Sequence, residues 1–381
     1  KLLELIHYAK SKDVEITIDA EEQDRLSLSL HIIEILAYNK SIKDWPGFGI
    51  ALQAYGKRSL EVIHWLNSML EKREKMHLRL VKGAYWDYEI KHAQVNGYQG
   101  YPVFSKKSLT DISFLSCAKQ LLQNKKIYPK FATHNAHTIS SISFLAKDSE
   151  YEFQRLYGMG ELLYKSAFEV LNLDKKPSIY APIGNYKDLL PYLVRRLLEN
   201  GANSSFINRL LDPETDSKWL AENPLVRLKK ETKEIPLPKD IFNERKNSSG
   251  YDLSEDEDLK KLKSGLAKFE NVHVDAKSIY VGRLESSTSS HKTISVANNK
   301  LIGSVTFDDP SNIENALTNK SEIKWNNFSV DERSKVLQDI ANHIEKEPNQ
   351  LIFYLINEAG KTIQNAIDEI REAIDFLRYY S

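Results

Sequence analysis

Short strand-forming runs alternate with amphipathic helices from Val14 to Asn208, and this alternation constrains the fold more than any other feature. The strand candidates are Val14–Glu22, Gly47–Tyr55, His77–Ala84, Tyr128–Thr133, Glu152–Leu156, Ser178–Ala181 and Ser204–Asn208. Strict alternation of this kind argues for parallel strands joined by helices. A closed β/α barrel takes eight strands. Seven are counted here, and the chain opens on an amphipathic helix, KLLELIHYAK. The simplest expectation is a β/α (TIM-like) barrel lacking its first strand, which would lie upstream of Lys1. A doubly wound open sheet is the alternative, because periodicity does not separate the two. Both place their sites at the carboxyl ends of the strands.

Polar residues collect at those ends: Asp19, Gln53, Tyr85, Thr133, His134 and Asn135. In RLVKGAYWD, Arg79 and Lys82 are cations in a strand that a parallel sheet should bury. Unpaired buried cations are costly, so they face either an anionic ligand or acidic partners such as Asp19 or Glu21. Gly83 would allow close backbone approach, and Tyr85 and Trp86 supply flat surfaces. In ATHNAHT, His134 and His137 have no carboxylate or cysteine at metal-ligand spacing. Phosphate contact at a helix N-terminus is one reading; capping by Thr133 or Asn135 is the other. The glycine pair of FQRLYGMGE is weak evidence for a nucleotide loop, and no GxGxxG or GxxxxGK[ST] occurs. Further on, Tyr192, Arg195, Arg196 and Glu199 fall at i, i+3, i+4 and i+7, on one helix face. Paired arginines suit a small carboxylate, which guanidinium binds through two parallel hydrogen bonds. A solvated face with an Arg–Glu pair is the plainer reading.

After Asp212 the alternation stops. Residues 212–276 read as a linker or irregular arm, with the acidic run SEDED solvated. A new unit, 277–381, begins with SIYVGR, TISVAN and LIGSVTF as short strands, with Asn298–Asn299 as a hairpin signal. Helices follow near Val330–Lys346, Pro348–Ala359 and Lys361–Tyr380; a unit that starts on a hairpin and stops there reads as truncated. Lysine plus arginine equals aspartate plus glutamate, 53 each, which gives no global charge for nucleic acid or a membrane surface. The single cysteine, Cys117, excludes an internal disulfide and a cysteine-rich zinc site; it fits a reducing compartment and reads as a core residue. No apolar run reaches the ~20 residues that span a bilayer.

TIDAEEQDRLSLSL, RLVKGAYWDYEIKHAQ, FATHNAHT, EFQRLYGMGE and YAPIGNYKDLLPYLVRRLLENGANSSFINR together resemble the proline dehydrogenase barrel of the bifunctional proline utilization A (PutA) family, over residues 1–211. DERSKVL and NEAGKTIQNAIDEIREAIDFLRYYS resemble the start of the aldehyde dehydrogenase domain that follows in that family. The resemblance implies FAD in the barrel and oxidation of L-proline to pyrroline-5-carboxylate, by hydride transfer from proline Cδ to flavin N5. The second domain would oxidise glutamate semialdehyde with NAD, although the stretch holding its cysteine and most of its NAD site is not in this sequence. By motif, Arg195 and Arg196 would clamp the proline carboxylate, and Glu199 would pair with the proline nitrogen or hold an arginine. Tyr180, Tyr192 and Tyr85 would wall the substrate, with Leu156 nearby, and Asp19 would orient an arginine or tyrosine. Arg79 would sit by flavin N5, where a cation stabilises developing negative charge. Gln53, Val81, Gly83, Trp86, Thr133, His134 and Asn135 would contact FAD.

The sequence departs from the family at three points. The strand carrying the family's active-site lysine is absent, and His92 and Tyr157 stand where arginine and histidine are common. The implied setting is cytoplasmic, or peripheral at the inner membrane, with a quinone-type electron acceptor at a membrane surface, a homo-oligomeric assembly, and no nucleic-acid partner in this stretch. The alternatives are a catalytically dead piece acting as a scaffold, or a barrel enzyme for another small carboxylate.

Overall fold

In the computed structural model the described residues are 1–381 other than 174–175, 202–220, 233, 281–282, 285–288 and 319–324, with the backbone alone at 197–201, 280, 283–284, 315–318 and 326. They divide into two compact units: Lys1–Lys91 with Tyr101–Ile235, and His92–Gly100 with Pro236–Ser381.

The first unit is built on six strands: β1 (Ile16–Ile18), β2 (Phe48–Gln53), β3 (Met76–Val81), β4 (Ile127–Ala132), β5 (Glu152–Leu156) and β6 (Ser178–Tyr180). They lie in the order β1-β2-β3-β4-β5-β6, and every neighbouring pair is parallel. A doubly wound sheet reverses its strand order at a switch point; this order never reverses. The winding is that of a β/α barrel, here a half-barrel. The expected strand Ser204–Asn208 lies outside the described residues.

Helices α1 (Leu2–Ser11), α2 (Leu26–Ala37), α3 (Ser59–Met69), α4 (Trp86–Asn96), α5 (Lys107–Gln123), α6 (Ala136–Ala146), α7 (Glu161–Leu171) and α8 (Tyr186–Gly201) alternate with the strands, except that α4 and α5 both lie between β3 and β4. Alternate strand residues Phe48, Ile50, Leu52, Leu78, Leu80, Phe131 and Phe153 share one apolar core with Ile33, Leu66, Phe114, Leu121 and Ile142 of the helices. The period of two sends the intervening residues to the other face. That face is polar: Thr17 Oγ1 lies 2.8 Å from His77 Nε2, and Lys130 is buried in ion pairs with Glu15 and, at 4.0 Å, Glu152. Gly49 sits in register with His77, and a Cβ there would come within 2.1 Å of the imidazole ring. Cys117 is buried in this core, and burial raises its thiol pKa. At the amino ends of the strands the buried Arg73 donates to the carbonyls of Ala37 (3.0 Å), Ile42 (2.9 Å) and Trp45 (2.6 Å).

The stretch read from sequence as an irregular arm contains regular helix. Helix α9 (Pro224–Lys230), capped by Asn223, belongs to the first unit. Helix α10 (Asp256–Ala267) belongs to the second, and the acidic run Asp256, Glu257, Asp258 forms its first turn. Carboxylates there meet the positive end of the helix dipole, so the run is a helix start rather than a solvated coil.

The second unit holds β7 (Val274–Lys277), β8 (Ile279–Tyr280), β9 (Arg283–Leu284), β10 (Ser289–Ile294) and β11 (Leu301–Phe307). The β10–β11 pair is the expected hairpin, with Asn299 at φ +58° in its turn. Helices α11 (Pro310–Thr318), α12 (Val330–Lys346), α13 (Asn349–Asn357) and α14 (Ile363–Tyr380) follow. Ser329 and Glu332 close a capping box on α12. Leu262, Ala341, Ile352, Ala366, Ile367, Ile370 and Ile374 form a separate core. His92 lies in this unit, edge-on to Tyr98 at 5.7 Å.

Candidate functional site

All six strands of the half-barrel deliver predicted residues to their carboxyl ends. Asp19 follows β1, Gln53 closes β2, and Val81 closes β3 two residues after Arg79. Thr133, His134 and Asn135 follow β4, while Leu156 and Tyr180 close β5 and β6. Helix α8 carries Tyr192, Arg195, Arg196 and Glu199; the side chain of Glu199 lies outside the described residues.

Three contacts tie this mouth together. Arg79 Nη2 donates to Asp19 Oδ1 at 3.2 Å, which is the ion pair that the sequence offered as one of two readings. The Tyr85 hydroxyl donates to Glu21 Oε2 at 2.5 Å. Burial first, and then that bond, push the Tyr85 phenol well above its ordinary range, so it stays protonated. Arg195 stacks on the face of Tyr85, with its guanidinium carbon 5.3 Å from the ring centre. Residues more than a hundred positions apart are thus brought into one column: Glu21, Tyr85, Arg195. Arg196 lies over the Tyr192 ring, also at 5.3 Å. Nε of Arg195 is buried and makes no hydrogen bond among the described residues. A buried guanidinium N–H without an acceptor is costly, and a bound anion would satisfy it.

Beside the arginines, His134 Nε2 accepts from the Leu156 amide at 3.1 Å, which fixes the proton on the other ring nitrogen. Burial, and then the charges of Arg196 and Arg155, push its pKa down to about 4. It is therefore neutral at physiological pH. Asn135 caps α6, its Oδ1 accepting from the Thr138 amide at 3.0 Å. Thr133 is buried; its hydroxyl accepts from the Asn135 amide at 3.2 Å and its carbonyl accepts from the Tyr164 hydroxyl at 2.8 Å.

Other predicted residues serve the walls. Gln53 is buried, donating to the Glu21 carbonyl at 2.6 Å and accepting from the Ala84 amide at 3.2 Å, so it staples the ends of β1 and β3. Gly83 has φ +137°, and a Cβ would come within 2.4 Å of the Tyr55 ring. Its openness admits that tyrosine. Trp86 Nε1 donates to the Phe104 carbonyl at 2.9 Å. Lys82 pairs with Asp111, a partner the sequence reading did not name; Asp111 is also 3.8 Å from Arg227. Tyr157 is largely exposed, its amide bonded to the Tyr180 carbonyl at 2.8 Å. The sequence offers Glu21 only as an acidic partner for the strand cations, whereas it holds Tyr85. Glu89 is not among the residues singled out from sequence, although it has a signal: it falls beside Ile90 and four residues before Ala93, on the apolar face of α4. Among the described residues no group of three His, Cys, Asp or Glu side chains gathers as a metal site would require, and no helix is long and apolar enough to cross a membrane.

Fold and site define a β/α half-barrel protein whose strand ends, with helix α8, gather arginines, tyrosines and carboxylates at one mouth. Comparison with known proteins sharpens the class. The model of the proline dehydrogenase family matches residues 1–209, and that of the aldehyde dehydrogenase family matches residues 284–381. The chain belongs to the proline dehydrogenase family. Similar curated proteins include the bifunctional protein PutA of Escherichia coli K12, 40% identical over 100% of this chain and 30% of that protein. The bifunctional protein PutA of Rhizobium meliloti is 38% identical over 98% and 32%. The chain thus spans about a third of the length of these relatives. A crystal structure of proline utilization A from Bdellovibrio bacteriovorus inactivated by N-propargylglycine aligns with a TM-score of 0.86 at 27% identity, over 99% of this chain and 40% of that one.

Proposed function

We propose that the first unit oxidises L-proline to pyrroline-5-carboxylate with FAD, within a longer enzyme whose following domain oxidises glutamate semialdehyde with NAD. The observation that carries this reading is the Arg195–Tyr85–Glu21 column beside Arg196, with the buried Arg195 Nε making no hydrogen bond among the described residues. Arg195 and Arg196 bind the proline carboxylate, in the geometry that a fork of N–H donors suits. Tyr85, Tyr180 and Tyr192 wall the ring, and Asp19 holds Arg79. Glu199 pairs with the proline nitrogen or holds an arginine. Gln53, Val81, Gly83, Trp86, Thr133, His134 and Asn135 hold the cofactor. Bound FAD supplies the hydride acceptor for proline Cδ. The chain's own residues orient the substrate, exclude water and place positive charge, through Arg79, where negative charge develops. The donor set fits the group: three arginines, a neutral imidazole and flat phenols meet at one set of strand ends, with no carboxylate placed against Arg195 among the described contacts. We further propose a quinone-type electron acceptor at a membrane surface.

The test is Arg195→Met in the full-length enzyme. Losing a bidentate charge-assisted contact should raise KM for proline about 100-fold. An unchanged KM would remove the carboxylate clamp and with it the substrate assignment.

A further inference from the structure

We propose that Glu89 is a positioning residue for this site: its carboxylate anchors the segment 19–23, which aims Asp19 and Glu21. The inference rests on the proline reading above. Glu89 stands in the first turn of α4, where its amide donates to the Tyr85 carbonyl at 2.9 Å. Its side chain is 2% exposed. Oε1 accepts from the Gln23 amide at 2.7 Å and from the Tyr55 hydroxyl at 3.4 Å. Segment 19–23 is therefore held at two points, by Gln53 at the Glu21 carbonyl and by Glu89 at the Gln23 amide. Within it Glu21 holds the Tyr85 hydroxyl, on whose ring Arg195 stacks, and Asp19 holds Arg79. Tyr55, the second donor, is itself fixed in the space that Gly83 leaves open. Glu89 touches no substrate in this account. It acts through its neighbours.

The anchor also senses protons. Glu22 faces Glu89 from the anchored segment and Asp24 from the residue just after it, Tyr55 from the loop after β2, and Tyr88 from α4. Arg58, at the start of α3, donates to the Gln23 carbonyl at 3.3 Å. Burial, helped by the charges of Asp24 and Glu22, pushes the Glu89 carboxyl up to about 7, against the bonds from Gln23 and Tyr55. Above that pH the carboxylate accepts charge-assisted bonds, roughly twice as strong as neutral ones. Below it the anchor weakens, the Tyr85–Arg195 column loosens, and proline binds less well.

The experiment measures KM and kcat for proline across about pH 6 to 9 in the full-length holoenzyme, for wild type and Glu89→Gln. Glutamine has the shape of the protonated acid. Wild-type KM should fall about fivefold as pH rises through about 7, with kcat changing less than about twofold. Glu89→Gln should keep the acid-side KM throughout. A variant that retains the wild-type pH dependence of KM overturns the proposal. Tyr55→Phe keeps the ring and removes a donor to the ionised form, so the midpoint should move to higher pH; an unmoved midpoint also overturns it. Infrared difference spectra supply a readout that needs no substrate. A protonated-carboxyl stretch should titrate near pH 7 in wild type and be missing from Glu89→Gln, and its absence from wild type counts against the anchor. Should the band titrate as expected in a protein that does not oxidise proline, the substrate reading fails and the anchor stands.

Discussion

Tyr85 does two jobs with one side chain. Its hydroxyl is held by Glu21 and its ring carries Arg195. Tyr85→Phe keeps the ring and loses the bond, so it should raise KM for proline by about tenfold, less than loss of Arg195 itself. Steady-state kinetics with both variants would check the order, and a Tyr85→Phe enzyme worse than Arg195→Met would refute it. Arg73 makes the contrasting case of a residue far from the mouth. Its guanidinium satisfies three carbonyls between α2 and β2, and burial pulls its pKa down to about 10. Arg73→Met should cost roughly 3 kcal/mol of stability in a denaturation curve, because buried carbonyls lose charged donors.

Element ends decide what the strands can present. Gly160 caps the start of helix α7, and its φ of +68° is in the left-handed region. A Cβ there would come within 2.7 Å of the His134 ring. Gly160→Ala should therefore destabilise the first unit by about 1–3 kcal/mol and disturb the His134–Leu156 bond, as read by thermal melting and by the imidazole signals in NMR. The strand ends were legible in the sequence, because a parallel sheet buries its strands and leaves polar residues only where the chain emerges. Arg79 was legible for the same reason, as a cation in a strand. Its neighbour Lys82 was only half legible: Asp111 lies on α5, and nothing local joins the two. Glu89 shows the converse error, since a carboxylate on an apolar helix face reads as an exception until its partners from two other loops are seen. The helix Asp256–Ala267 was missed because its acidic opening looks like solvated charge, although carboxylates are what a helix N-terminus favours.

At the scale of the molecule the strand order settles what periodicity left open. Sequential parallel strands wind one way, as in a barrel, and a separate core stands under the second unit. The buried titratable groups give the fold a pH signature. His77 and His134 are both pushed down to about 4, mainly by burial. Their unfolded pKa is about 6.5, so the stability they contribute is present above that value and is lost as pH falls towards about 4. Glu89 has the opposite sign, because the cost of desolvating its carboxylate outweighs the stronger bonds that the ionised form accepts. Its folded pKa is raised to about 7, so its contribution is complete below the ordinary glutamate value and is lost as pH rises through about 7. The melting temperature should peak between these limits. Glu89→Gln should gain on wild type above about pH 7, and a constant difference from pH 5 to 9 would contradict this. A carboxylate clamp serving a flavin in this barrel predicts a simple outcome for anaerobic titration of the full-length holoenzyme. L-Proline should bleach the flavin absorbance with saturation. Pyrrolidine, which has the ring but not the carboxylate, should need about 100-fold more to reach half-bleaching. No bleaching by proline, or equal half-saturation by the two amines, would contradict the account.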